Sequence, residues 1–160
     1  MFNPRTRETI TSATLMDMAD IDRIEKAAFA TPWSVGLIRA AIHNKQYDVR
    51  VLRTEDTPVA GFYIAHVARD KSNLDNLAVH ESIRGRGHGS TLIEDWIARA
   101  NGRRAAGLAL QVNTQNVRAQ ELYKDFGFRM IRLLVAYYPN GDDAYQMERA
   151  LAPRRTPAAH

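Results

Sequence analysis

Asn73-Leu-Asp-Asn-Leu-Ala-Val-His-Glu-Ser-Ile-Arg-Gly-Arg-Gly-His-Gly-Ser90 decides the reading of this chain, because it joins a strand, a glycine-rich turn and a helix start in one run. Residues 73–79 have the apolar, β-compatible composition of a strand. Beyond the glycines, Leu92, Ile93, Trp96, Ile97 and Ala100 recur at helical spacing, and Asn101-Gly102 reads as the stop of that helix. A helix N-terminus presents unpaired backbone N–H groups and a partial positive charge. Glycines let those groups approach a phosphate with no side chain between. Gly85, Gly87 and Gly89 supply that approach, Ser90 opens the helix, and Arg84 and Arg86 add charge. The side chains of His80 and His88 are expected to face solvent or phosphate. No Lys-Ser/Thr follows the glycines, which excludes a Walker loop, and their spacing does not fit the dinucleotide fingerprint. Taken bare, the same turn could serve only as a helix entry.

Working outward, Thr9 to Ala13 form a first strand, and from Asp17 onward Met18, Ile21, Ile24, Ala28 and Phe29 repeat at helical spacing. Thr31-Pro32-Trp33-Ser34 breaks that helix and offers Ser34 as N-cap of a second, with Leu37, Ile38, Ala41 and Ile42 on one face. Tyr47 to Arg53 and Val59 to Val67 are strand-like runs joined by a polar turn over residues 54–58, hence an antiparallel pair. Arg69-Asp70-Lys71-Ser72 reads as the next turn. Past the central helix come a strand at Leu108 to Val112, a helix at Asn116 to Asp125 ended by Gly127, and closing strands at Phe128 to Val135 and Ala144 to Leu151. This order implies an α+β architecture, a mixed sheet flanked by helices. One domain over residues 1–151 is expected, with 152–160 as a disordered tail.

Composition narrows the chemistry. Of 160 residues, 45% are hydrophobic and 25% charged, which is ordinary globular composition. No apolar run approaches the roughly 18 residues of a spanning helix, and the start MFNPRTRETITS lacks the apolar stretch of a signal peptide. No membrane association and a cytoplasmic location are therefore expected. The absence of cysteine removes disulfides, thiolate metal sites and a cysteine nucleophile, and no metal site is expected. The net charge of +4 favours an acidic ligand: nucleic acid, an anionic surface or a polyphosphate cofactor. Part of that charge, Arg103, Arg104, Arg154 and Arg155, reads as solvated residues at a helix end and a tail.

Two motifs in order carry a resemblance. Arg84-x-x-Gly87-x-Gly89, preceded by Leu77-Ala78-Val79, is similar to the acetyl-CoA-binding motif Gln/Arg-x-x-Gly-x-Gly/Ala of the GNAT superfamily. Downstream, Asn113-Thr-Gln-Asn116 and Val117-Arg-Ala-Gln-Glu-Leu-Tyr123-Lys-Asp-Phe-Gly127-Phe128 resemble the family's Asn-x-x-Ala-x-x-Leu-Tyr-x-x-x-Gly-Phe run. Residues 27–34 and Tyr137-Tyr138-Pro139 resemble the RimI branch, the ribosomal-protein-alanine N-acetyltransferases. The likeness runs from about Ile10 to Leu151.

The resemblance implies a GNAT fold, a mostly antiparallel sheet with one splayed pair of parallel strands, and direct attack of an amine on acetyl-CoA. It implies that Tyr123 protonates the departing sulfur and that Leu77, Ala78 and Val79 pair with the pantetheine arm through their main chain. It further implies that residues 84–90 hold the phosphates and that Asn116, a helix cap, reaches the cofactor. Trp33, Tyr137 and Tyr138 would wall the acceptor site, with a protein N-terminus as acceptor. The chain departs from RimI at Leu110-Gln111-Val112, where the branch has a glutamate as its proposed base; a neutral amide at Gln111 cannot take the proton. Asp75 is then the candidate base, because strand alternation puts it on the same face as Asn73 and Leu77, with Glu81 a weaker one. Alternatives stay open: a small-molecule amine as acceptor, an RNA-binding module with nucleic acid on Arg84 and Arg86, or a CoA-binding fold without catalysis. No feature sets the oligomeric state.

Overall fold

The computed structural model describes residues 7–152, so the expected tail lies, from residue 153 on, outside the described residues. The chain runs β1 (Thr9–Ser12), α1 (Met18–Ala28), α2 (Val35–Ile42), β2 (Tyr47–Arg53), β3 (Gly61–Ala68) and β4 (Lys71–Val79). The glycine-rich turn leads into α3 (His88–Gly102), followed by β5 (Gly107–Asn113), α4 (Val117–Asp125), β6 (Arg129–Leu134) and β7 (Ala144–Ala150). The seven strands described form one sheet in the order β1-β2-β3-β4-β5-β7-β6. Every neighbouring pair is antiparallel except β4 and β5. A parallel pair needs a crossover, and α3 provides it. This is the expected α+β sheet with one parallel pair. The insertion of β7 between β5 and β6 is not visible in the chain order.

Alternation along the strands feeds two cores, one on each face of the sheet. On one face, Met18, Ile21 and Ile24 of α1 and Ile38 and Ala41 of α2 bury against Val49, Val51, Phe62 and Ile64. On the other, Leu92, Ile93, Trp96 and Ala100 of α3 and Tyr123 of α4 bury against Leu52, Tyr63, Leu108 and Leu110. Each fully buried large apolar side chain contributes about 1.5–3 kcal/mol. Trp96 keeps its indole nitrogen satisfied by donating to Ser72 Oγ at 2.9 Å. The expected caps form: Ser34 Oγ accepts from Leu37 N at 3.2 Å, and Asn116 Oδ1 accepts from Ala119 N at 3.2 Å.

Two local expectations need correction. The turn read over residues 69–72 contracts to Arg69 and Asp70, because Arg69 adopts φ 60° and lets the hairpin close at once, so β4 begins at Lys71. α3 ends at Gly102, the expected stop, and the chain turns where Arg104 takes φ 59°. Arg103 is not a solvated end. Its guanidinium donates to both Asp48 carboxylate oxygens, at 2.8 and 3.1 Å, and Arg99 joins them at 2.9 Å. Those bonds hold the Asp48 carboxyl below the usual range despite its burial.

Candidate active site

The parallel strands part company early. β4 and β5 pair from Lys71/Gly107 to Leu74/Leu110 and no further, although β4 continues to Val79 and β5 to Asn113. The expected splay therefore opens at Asp75 on one side and Gln111 on the other. A bulge accompanies it. On the β3 side the register passes from Ala65/Leu74 to Ile64/Asn76, leaving Asp75 as the unmatched residue.

That extra residue swaps the faces of β4. Ser72 and Leu74 point to α3, whereas Asn76 and Ala78 point to α1. Simple alternation is corrected here: Asp75 stays with Asn73 on the α1 face, as its bond to His66 shows, but Leu77 packs into the opposite core. Val79 O accepts from Arg84 Nε at 3.2 Å, while His80 N donates to Ala60 O beyond β3 at 2.7 Å. By the same two-residue period, the main chain of Leu77 and Val79 faces the splay and that of Ala78 faces β3. Ala78 is thus a core residue with its carbonyl against Gly61, which corrects its expected place among the pantetheine partners.

Asp75 is largely enclosed. His66 Nδ1 lies 2.7 Å from its Oδ2, and the His66 ring lies 5.2 Å from that of Tyr47, tilted by 30°. Burial pushes the Asp75 carboxyl above the ordinary carboxylate range, while the hydrogen bond and charge of His66 pull it down. Tyr47 and Tyr137 are both pushed up, first by burial and then by the negative charge of Asp75. Glu81, by contrast, is exposed on a short 3-10 turn, away from this enclosure.

The glycine-rich turn has the form a phosphate needs. Gly85 and Gly87 sit at φ 80° and 86°, conformations that favour glycine. Gly87 caps α3 without a side chain, and a Cβ there would meet open space. The first-turn N–H groups of His88, Gly89 and Ser90 precede the helical hydrogen-bond ladder, whose first bond runs from Thr91 N to Gly87 O. Arg84 and Arg86 are exposed beside them, and an Arg118 guanidinium nitrogen from α4 comes within 3.5 Å of where a Gly85 Cβ would stand. A polyphosphate-bearing cofactor fits this cradle of free donors, glycines and cations.

The histidines do something else. His88 turns inward, buried, with Nδ1 at 2.7 Å from Glu8 Oε1 but off the direction of a hydrogen bond, so only its main chain can meet a ligand. His80 caps the 3-10 turn over Glu81–Ile83, accepting from Ser82 N at 3.2 Å. The burial of the His88 side chain corrects the expectation of contact with solvent or phosphate, whereas His80 stays partly exposed.

On the far side of the splay, α4 presents Tyr123, buried and edge-on to Phe128 at 5.8 Å. Burial, then the nearby Tyr138, pushes its phenol well up, which keeps the proton on the oxygen. Tyr137 and Tyr138 cross at 5.0 Å and 85° in the β6–β7 connection, and burial raises Tyr138 to about 12. Trp33 is half-buried in the α1–α2 connection, against the core that α1 and α2 make. Gln111 pairs with Gln146 of β7 and is half-buried.

Sequence reading missed His66, Tyr47 and the pair Glu25–Asn76. Asn76 Nδ2 donates to both carboxylate oxygens of Glu25, 2.7 Å to Oε2, and ties α1 to β4 directly after the bulge. The signal for Glu25 was present: it is four residues from Ile21 on the buried helix face. His66 follows Phe62 and Ile64 in alternation, which marks the same face of the sheet.

The family described as "Acetyltransferase (GNAT) domain" matches residues 17–151. The [ribosomal protein bS18]-alanine N-acetyltransferase of Escherichia coli K12 is 32% identical over 134 residues, 84% of this chain and 89% of that one. A Bacillus subtilis protein named putative [ribosomal protein bS18]-alanine N-acetyltransferase is 27% identical, covering 89% of this chain and 95% of its own length. Among solved structures, the ribosomal-protein-S18-alanine N-acetyltransferase from Escherichia coli superposes with a TM-score of 0.82 at 30% identity, covering 94% and 99% of the two chains.

Proposed function

The chain belongs to the GNAT acetyltransferase family, and on that premise we propose that it transfers an acetyl group from acetyl-CoA to the N-terminal α-amine of a protein such as a ribosomal protein. It does so as one domain over residues 1–151, in the cytoplasm; among the described residues no helix is long and apolar enough to cross a membrane. The observation that carries the reading is the splay. It opens at Asp75 and Gln111, with the glycine-rich turn at the end of β4 and the Tyr137–Tyr138 wall beside Tyr123. The similarity to enzymes named for alanine of a ribosomal protein favours a protein α-amine over a free small amine.

Acetyl-CoA supplies the acetyl group as an activated thioester. Residues 84–90 and Arg118 neutralise its phosphates, and the open main chain of Leu77 and Val79 pairs with the pantetheine arm. Tyr123 holds a proton for the leaving sulfur, and its burial keeps the phenol from ionising first. Asp75 takes the proton of the incoming ammonium, the task for which Gln111 has no free electron pair of sufficient basicity. Asn116, fixed by its capping bond, borders the cofactor, while Trp33, Tyr137 and Tyr138 line the acceptor's entry. The departure from the RimI pattern at Gln111 supports one second reading, a small-molecule amine as acceptor.

One assay separates the two: acetyl-CoA-dependent release of free thiol with peptides beginning in Ala or Ser, against polyamines and amino acids. Turnover confined to peptides is expected. Turnover confined to small amines overturns the acceptor assignment, and failure of CoA to stabilise the fold overturns the whole reading.

A further inference from the structure

Gln111 removes a carboxylate from β5, and the chain carries a second carboxylate at the same opening, brought there by the β4 bulge. That carboxylate is not alone. Its Oδ2 is held by His66 Nδ1 at 2.7 Å, and His66 is flanked by the Tyr47 ring. An unpaired carboxylate in so enclosed a place would tend to take up a proton and lose its basicity. A donor on one oxygen fixes its orientation and leaves the other oxygen free to accept.

We propose that His66 is a positioning residue for the reaction: it holds Asp75 ionised and aimed at the open end of the splay, so that the two form the proton-accepting unit that replaces a carboxylate at position 111. The inference rests on the assignment of Asp75 made above. The groups around the unit are consistent with it. Tyr47 from β2 and Tyr137 from the β6–β7 connection are phenols raised by burial and by this carboxylate, so they stay neutral and offer it no competing charge. β5 presents the neutral Gln111 across the gap, and from α1 the Glu25 carboxyl is occupied by Asn76, the residue after Asp75. His66 is thus the cationic or donor group that can hold the charge of Asp75 from these elements. The proton taken from the acceptor ammonium goes to Asp75, which later releases it to solvent; the freed amine then forms the new amide bond as the carbon–sulfur bond breaks, Tyr123 gives its proton to the sulfur, and the second proton shed by the amide nitrogen restores the phenol.

The test is the pH profile of kcat at saturating acetyl-CoA and peptide in His66→Phe, His66→Gln and Asp75→Asn. His66→Phe keeps a ring beside Tyr47 but cannot donate. Its Asp75 then titrates higher, so the acid limb of kcat moves up by at least one pH unit, while the high-pH plateau falls no more than about threefold. His66→Gln, which keeps an N–H, returns the limb most of the way. An unmoved limb in His66→Phe, with Asp75→Asn still at least a hundredfold slower, overturns the role of His66 and leaves Asp75 standing. Full activity in Asp75→Asn overturns the base assignment itself. Should His66→Phe fail to fold, imidazole NMR of the wild type decides: an Nδ1-bound proton that shifts in Asp75→Asn supports the pair, and an Nε2-only tautomer indifferent to that change refutes it.

Discussion

Glu25 gives the sharpest test of the framework that holds this site. Its side chain is fully buried, burial raises its carboxyl from an ordinary 4.5 to about 7, Asn76 opposes the rise and Asp22 adds to it. A carboxylic acid with a raised native pKa binds more protons folded than unfolded between those two values, so stability must fall as pH rises through that window. The size follows from the window: about 2.5 pH units at 1.36 kcal/mol each, or about 3 kcal/mol lost between pH 4.5 and the plateau above 7. Glu25→Gln keeps the shape and an acceptor for Asn76 Nδ2 but never ionises. Urea unfolding of both proteins from pH 5 to pH 8 should show similar stability at pH 5 and a variant more stable by about 2–3 kcal/mol at pH 8. Parallel curves, or a variant that loses ground as pH rises, would mean that the Glu25 carboxylate is solvated or compensated by a cation. The reasoning about α1 and the bulge would then fail.

Two further substitutions probe the chemistry and the sheet. Tyr123→Phe keeps the edge contact with Phe128 at 5.8 Å and should leave the melting temperature within a degree or two, while kcat falls about a hundredfold or more; unchanged kcat would remove Tyr123 from proton transfer. Gly61→Ala places a Cβ 2.9 Å from the carbonyl oxygen of Ala78 and 3.3 Å from Val79 Cα, backbone that cannot yield without moving β4. It should cost about 1–3 kcal/mol in urea unfolding and raise the KM for acetyl-CoA, and a neutral result would show that β4 shifts freely.

The sheet was legible in the sequence where periodicity and punctuation agree. Tyr47–Arg53 and Gly61–Ala68 are strand-like runs on either side of a polar turn, and their antiparallel pairing is as expected. The α3 stripe of Leu92, Ile93, Trp96 and Ala100 is equally plain. The reading of Arg103 failed because a side chain far away in sequence intervenes: Asp48 draws it against β2. The place of β7 was hidden for a different reason, since strand order in a sheet is fixed by which faces remain unburied, not by the chain's order. The glycine-rich turn and Tyr123 were found through motifs, whereas His66 and Glu25 are single polar residues whose partners lie 9 and 51 positions away.

Asp75 shows most clearly how a bulge hides the placement of a residue from an argument by alternation. Alternation alone groups it with Asn73 and Leu77, and a regular β4 would continue to alternate through position 75 without a break. The structure inserts one residue there, and every side chain beyond it changes face. Two results follow from that one insertion. Leu77 and Val79 turn their side chains into the α3 core and their main chain toward the splay, and Asn76 comes over Glu25, which anchors the far side of the bulge to α1. Asp75, belonging to neither regular half, is left at the edge where β5 departs, with only His66 beside its carboxylate as a hydrogen-bond donor among the described residues. A carboxylate on a regular β5 is aimed by the strand itself. One on a bulge has no such constraint and needs a side chain to aim it, which on the proposed assignment is what His66 supplies in a chain that carries glutamine at 111.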